Sequence, residues 1–284
     1  MQYEIIVLYL LPTPLGNLAD ITLHTLNILD QTEVFLCEDT RVSKQLLSLL
    51  QQRQYIKDKE RVFYSFHTHN QEDFLKKIQK DFFFQNVVFM SDAGMPCISD
   101  PGSVLINYAR EHCIEFEVLL GGSAPSLAFA YSGFGDRGYV FDSFLPHKKE
   151  ERKERLRYWH QVLGVQNGMP LVCFESPHRL LESLADLGEV DCSCKLFAIK
   201  EMTKKFQKSF LGNIKEVLEQ MQGENLQGEW CLVIDFSKKD YQKTLTAQEV
   251  LELPIAPKLK SKILSKLTNI PIKEWYERLL KEEE

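Results

Sequence analysis

The sequence predicts an α/β fold. Short β-rich apolar runs alternate with stretches of helical periodicity, and turn residues cluster at the ends of the runs. In the first half the strands are expected at 5–11, 34–37, 62–66, 87–91 and 116–120. Between them, helices are expected at 22–29, 43–50, 71–80 and 103–112. Asp20 stands where a side chain can cap the first of these helices. This alternation predicts mostly parallel strands. After residue 121 the texture changes: Gly121-Gly-Ser-Ala-Pro125 reads as a turn cluster and a linker. A second series follows, with strands at 139–144, 171–175, 195–200 and 230–235 and helices at 148–163, 177–187 and 213–221. Residues 246–281 have helical spacing, interrupted by Pro254, Pro257 and Pro271. The expected organisation is an α/β domain over 1–120, a second over 121–240, and a small basic helical appendage over 241–284.

Composition narrows the class. The 284 residues carry 34 basic and 40 acidic side chains, a net charge of −6, with 44% hydrophobic and 26% charged residues. That balance excludes a disordered chain. The longest uncharged stretch, 118–135, is dense in Gly and Ser and reads as turns, not as a bilayer helix. The apolar run at 5–11 follows Glu4 without a basic leader and reads as a strand, not a signal peptide. Seven cysteines without framework spacing fit a reducing cytoplasm.

Several familiar patterns lack their structural context. Gly133-Phe-Gly135-Asp-Arg-Gly138 matches a dinucleotide fingerprint, but a strand-like run follows it where a helix is required. Lys57-Asp-Lys-Glu60 is four adjacent charges, the mark of a solvated loop. His67/His69 and Cys192/Cys194 have no companion pair at zinc spacing, so no metal is expected.

Four stretches at strand ends carry more. Pro12-Thr-Pro-Leu-Gly-Asn17 fixes a turn directly after a strand. Ser91 to Gly102 is a turn-rich loop after another, where ligands of α/β sheets bind; Asp92 and Asp100 either accept from a ligand or cap turns. In Phe174-Glu-Ser-Pro-His-Arg179, Pro177 suits a first helical turn, which places His178 and Arg179 at a cleft mouth or on a solvated helix. Glu38-Asp-Thr-Arg41 sets three charges directly after an apolar strand, costly unless paired, exposed or used; an Asp39–Arg41 ion pair is the structural alternative.

Together these residues resemble the ribosomal RNA small-subunit methyltransferase I family. The resemblance runs in order over roughly 7–236 and adds Ile98-Ser-Asp-Pro-Gly102, Phe144-Leu-Pro146, Glu201-Met-Thr-Lys204 and Gly228-Glu229. It implies the two-domain tetrapyrrole-methylase fold, class III among methyltransferases, with a homodimer and S-adenosylmethionine in the cleft between domains. The implied reaction is methylation of a cytidine 2′-hydroxyl in the decoding centre of small-subunit (16S) rRNA. The sequence departs from the family at Leu120-Gly-Gly-Ser-Ala124, where two prolines are missing, at Lys200, usually Arg, and at Ser143, usually Gly.

By similarity, cofactor contacts fall on Leu15, Ser91, Asp92, Ala93, Ile98, Ser99, Ser123, Ala124, Phe174, Glu175, Met202 and Gly228, many through backbone groups. Asp39, Asp100 and His178 are the groups that could orient the hydroxyl or accept its proton, and Arg41 and Arg179 suit phosphate. Two basic segments can meet rRNA or simply face solvent. Residues 148–157 hold six bases and three acids, and 254–281 seven bases and two acids. Two other readings remain: a same-fold methyltransferase for a tetrapyrrole or a protein, and a non-enzymatic RNA-binding ribosome-assembly factor.

Overall fold

The computed structural model describes residues 7–165, 168–238, 245–268 and 270–281. Residues 1–237 form one compact unit and 238–284 a second. The first unit opens with β1 (Leu8–Leu11), α1 (Leu23–Gln31), β2 (Val34–Cys37), α2 (Thr40–Gln52) and β3 (Val62–Ser65). Then come α3 (Gln71–Lys77), β4 (Val87–Met90), α4 (Gly102–Glu111) and β5 (Phe116–Val118). Residues 5 and 6 of the expected first strand, and Glu282 to Glu284, lie outside the described residues.

These strands pair in parallel in the order β3-β2-β4-β1-β5. β2 and β4 are buried along their whole length, as strands covered on both faces must be. Alternate side chains point to opposite faces. Phe35, Val88 and Met90 pack with Leu47 and Leu50 of α2; Leu36, Val87 and Phe89 pack with Leu105 and Ala109 of α4. In a parallel sheet every strand ends at the same edge, so the loops after β1, β2 and β4 are neighbours.

The second half of this unit runs α5 (Ala124–Ser132), β6 (Val140–Phe144), α6 (Lys149–Leu163), β7 (Leu171–Glu175) and α7 (Leu180–Val190). It continues with β8 (Lys195–Lys200), β9 (Lys208–Asn213), α8 (Ile214–Gln220) and β10 (Trp230–Asp235). The sheet order is β6-β7-β10-β8-β9. Only β6 and β7 are parallel; the other pairs are antiparallel. The connection 201–207 between β8 and β9 is too short for the crossover that parallel pairing needs. Because β10 runs against β7 and β8, its first residues lie beside their last ones.

Some local expectations are corrected. Thr22, not Asp20, caps α1, its Oγ1 accepting the Thr25 N–H at 3.0 Å, because Asp20 is taken up in a preceding 3-10 turn. The 121–125 linker gives way at Ala124 to α5, with Pro125 in its first turn and Gly133 closing it at φ +64°. α7 starts at Leu180, not Pro177, because residues 176–179 form a turn in which Arg179 N–H donates to the Ser176 carbonyl at 3.1 Å.

The second unit holds α9 (Ala247–Glu252), α10 (Pro257–Thr268) and α11 (Ile272–Lys281) around Val250, Leu264 and Leu279. Two of its interrupting prolines sit at helix starts: Pro257 opens α10 and Pro271 precedes α11.

Candidate active site

The loops after β1 and β4 are tied to each other. Thr13 and Gly94 exchange backbone hydrogen bonds at 2.9 and 2.7 Å, and Thr13 Oγ1 donates to the Ser91 carbonyl at 2.7 Å. Gly94 takes φ +81°, a conformation that favours glycine. Gly121, at the start of the second half, faces Pro12 so closely that a side chain there would collide with the ring.

Between these loops and the β7, β8 and β10 ends of the second sheet lies a cavity of about 460 Å³. Its wall takes Leu15 from the first loop and Ser91, Asp92, Ala93, Ile98, Ser99 and Asp100 from the loop after β4. The second half adds Ala124, Phe174, Glu175, Met202 and Gly228. Eleven of the twelve cofactor positions named from sequence therefore share one wall; Ser123 lines a neighbouring depression instead. Backbone strain gathers here. Cys97, Ser99, Ser143, Glu201 and Thr203 all hold positive φ, between +51° and +70°, as residues do where surrounding structure fixes a working geometry. Ser143 reaches φ +53° at an irregularity in β6, which explains why a glycine suits that position, and its hydroxyl meets that of Ser99 at 2.8 Å.

The nominated proton acceptors are less well placed. Asp39 caps α2 and is pinned to Arg41, with Oδ2 2.6 Å from Nη2 and Oδ1 accepting the Arg41 backbone N–H at 2.8 Å. Hydrogen bonds from the Arg41 side chain and backbone hold its carboxyl down at about 2. Asp39 should stay ionised down to about pH 2 in a proton-resolved titration, and Arg41→Ala should return it toward the ordinary carboxylate range. An ordinary value in the native protein would show that the pair does not persist in solution. Asp100 does line the cavity, but its Oδ1 accepts from Cys97 N–H at 2.9 Å and Gly102 N–H at 2.7 Å, so it is largely a turn cap. His178 is exposed and is not part of the wall.

The arginines also differ from expectation. Arg179 is turned inward: its guanidinium meets Glu175, 1% exposed, at 2.6 Å and donates to the Leu145 carbonyl at 3.1 Å. Its charge is therefore spent on Glu175 and is not offered to phosphate. Glu175 also accepts from Ser176 N–H and Ser183 Oγ, so both its oxygens are engaged. Arg41 remains exposed beside Asp39. Lys200, where an Arg is usual, donates to the Asn225 and Gln227 carbonyls and so holds the turn before β10.

Among the wall residues given no role from sequence, one is a carboxylate of the Glu38-Asp-Thr-Arg41 motif. Glu38, last before the α2 cap, lines the cavity half-buried, with Oε2 accepting the Asp92 N–H at 3.2 Å. Burial pushes its pKa up and the charges of Asp92 and Asp100 add to this, against the Asp92 N–H. Asp92 is raised too, chiefly by burial, though Arg41 offsets part of it.

The basic segment 148–157 is not a free cationic face. Five of its six bases are in ion pairs: Lys148–Glu151, Lys149–Asp186, Arg152–Asp186, Lys153–Glu189 and Arg155–Asp142. The acids of α7 that neutralise it lie some thirty residues away in sequence, out of sight of a local charge count. In the second unit, by contrast, Lys258, Lys262 and Lys266 are exposed at four-residue spacing, one stripe of α10, while Lys260 turns back to the Leu251 carbonyl. Among the described residues, no group of three or more His, Cys, Asp or Glu is arranged to hold a metal ion. Cys194 is buried, which pushes its thiol up to about 12 and disfavours the thiolate.

Two sheets with a cavity where their loops converge define a class. Residues 7–218 match the family model of tetrapyrrole (corrin/porphyrin) methylases. Solved structures agree in fold. One is uroporphyrin-III C-methyl transferase of Thermus thermophilus complexed with S-adenyl homocysteine (TM-score 0.54, 17% identity, 80% of this chain and 96% of that one). Another is a cobalt precorrin-4 methyltransferase (TM-score 0.58, 15% identity, 81% and 94%). Proteins named ribosomal RNA small subunit methyltransferase I are far closer in sequence. That of Helicobacter pylori strain J99 is 45% identical over 97% of this chain and 98% of its own. Those of Campylobacter fetus and Bacillus subtilis are 39% and 31% identical, covering 96% and 95% of this chain and 100% and 93% of theirs. The chain belongs to the tetrapyrrole methylases and, within them, to the ribosomal RNA small subunit methyltransferase I family. Among the described residues no helix is long and apolar enough to cross a membrane.

Proposed function

We propose that this protein is an rRNA methyltransferase that uses S-adenosylmethionine to methylate the 2′-hydroxyl of a cytidine in the decoding centre of the small subunit, as a cytoplasmic homodimer. One observation carries the reading: in a chain with full-length kinship to rRNA methyltransferases, motifs scattered from Leu15 to Gly228 meet on a single cavity wall.

The wall suits the cofactor. Phe174 and Phe144, with ring centroids 5.4 Å apart, offer apolar faces to adenine, and Phe144 is 52% exposed. The carboxylate of Asp92 can accept from ribose hydroxyls or an ammonium group. At Gly94 a Cβ would come within 3.3 Å of Leu15, so the bare backbone leaves that wall side chain in its place. Bound there, the cofactor supplies a methyl group activated on sulfonium. The task of this chain's residues is to hold the acceptor oxygen in line and exclude water. Orientation alone can be worth on the order of 7–11 kcal/mol. The Lys258, Lys262 and Lys266 stripe gives the appendage a salt-dependent affinity for phosphates, consistent with an RNA arm.

Deleting the gene should remove one 2′-O-methyl cytidine from small-subunit rRNA, and purified protein with S-adenosylmethionine should restore it on subunits from the deletion strain. An unchanged rRNA methylation map would overturn the reading. A labelled methyl group appearing on tetrapyrrole or protein would reassign the acceptor, and absence of cofactor binding by calorimetry would leave an assembly factor.

A further inference from the structure

We propose that Glu38 is a catalytic residue of this methyl transfer, its Oε1 accepting the proton of the attacking hydroxyl. The inference rests on the methyltransferase reading above and adds the one group that reading leaves unassigned.

Geometry selects it. Glu38 ends the run that β2 delivers to the cavity, and its carboxylate is part of the wall. Oε2 is anchored by the Asp92 N–H at 3.2 Å, which leaves Oε1 without a hydrogen-bond partner among the described residues. The charged groups around it are Asp92 and Asp100 from the loop after β4, Asp39 and Arg41 at the start of α2, and Glu229 ahead of β10. Arg41 is committed to Asp39 and offsets Asp92 only in part, Lys204 is paired with Glu229 at 2.8 Å, and no cation is among the groups that act on Glu38 itself. A half-buried carboxylate in that setting holds a proton more tightly than an exposed one, which makes it the better acceptor. The competing carboxylates are placed differently. Asp39 is saturated by Arg41, and Asp92 accepts the Asp39 N–H at 3.0 Å under the partial influence of Arg41; Asp100 caps its own turn through Oδ1, while its unpartnered Oδ2 is buried from solvent.

In the step, Oε1 takes the hydroxyl proton as the acceptor oxygen bonds to the methyl carbon. The carbon–sulfur bond breaks with its electron pair going to sulfur. Charge balances: a carboxylate and a sulfonium become a carboxylic acid and a thioether.

Glu38→Gln keeps an acceptor for the Asp92 N–H and removes only the proton site. Single-turnover methylation of subunits from the deletion strain should fall at least about a hundredfold. Cofactor affinity by calorimetry should change less than twofold, and the acid limb of the native pH–rate profile should vanish. That limb should lie above the ordinary glutamate range, because the rate needs the ionised form of a group whose pKa is raised. Glu38→Asp should retain part of the rate and the limb. A carboxyl-resolved NMR titration of the protein without cofactor gives a readout apart from activity: one glutamate should titrate high, and its signal should be missing in Glu38→Gln. A Gln variant within threefold of native rate, or an acid limb that survives in it, would overturn the proposal. A native enzyme that methylates no subunit at all would instead sink the rRNA reading.

Discussion

Arg152→Met is expected to lower the free energy of unfolding by about 3–5 kcal/mol. Arg152 is 0% exposed and meets Asp186, 1% exposed, through Nε at 2.8 Å and Nη2 at 2.6 Å. Nη1 adds the Pro146 and His147 carbonyls. Removing the cation takes away the hydrogen-bonded partner of a carboxylate buried between α6 and α7 and leaves it only the half-exposed Lys149, 3.7 Å away. The companion variant Arg152→Met/Asp186→Leu should recover most of the loss, because pairing two buried charges is itself costly to assemble. Urea unfolding of the three proteins measures this. A single variant as stable as the native chain would mean that the α6–α7 seam admits solvent.

Ala93→Trp is expected to weaken S-adenosylmethionine binding by more than a hundredfold with little change in unfolding midpoint. Ala93 is exposed yet faces the cavity, so an indole there fills space without disturbing a packed core. Ala93→Ser should bind as the native protein does. Calorimetry decides: unchanged affinity in the tryptophan variant would place the cofactor elsewhere.

Much of the framework was legible in the sequence because it consists of buried apolar runs between polar borders. The strands at 34–37, 171–175, 195–200 and 230–235 have the boundaries that the residues imply. β9 was missed: it is an edge strand, with Lys208, Ser209 and Leu211 exposed and only Phe210 buried, so no apolar run announces it. α5 was missed because Ala130 and Tyr131 on its exposed side are scarcely more polar than Ala128 on its buried side, so it lacks the one-sided stripe that marks a surface helix. At the site, the strand-end motifs pointed to the cavity, but the choice within Glu38-Asp-Thr-Arg41 depended on which carboxylate Arg41 would claim. Sequence separation of two let Asp39 close on Arg41 and left Glu38 to the wall. The cationic look of 148–157 misled for the opposite reason, since its partners come from a distant helix.

The position of β10 bears on how the chain is made. The first sheet needs no strand beyond Val118, so all its pairings are available once that much chain has emerged. The second sheet is different, because the last strand synthesised is the one in the middle. Until residue 235 is free, β7 and β8 have no shared neighbour, and the two core layers that Cys231, Leu232, Val233 and Ile234 join stay incomplete. Such non-local closure is slow, and it leaves strand edges open meanwhile. A nascent chain halted before Trp230 therefore carries a finished first sheet and a second one split down its centre, the stage at which this protein is most exposed to aggregation and to proteases.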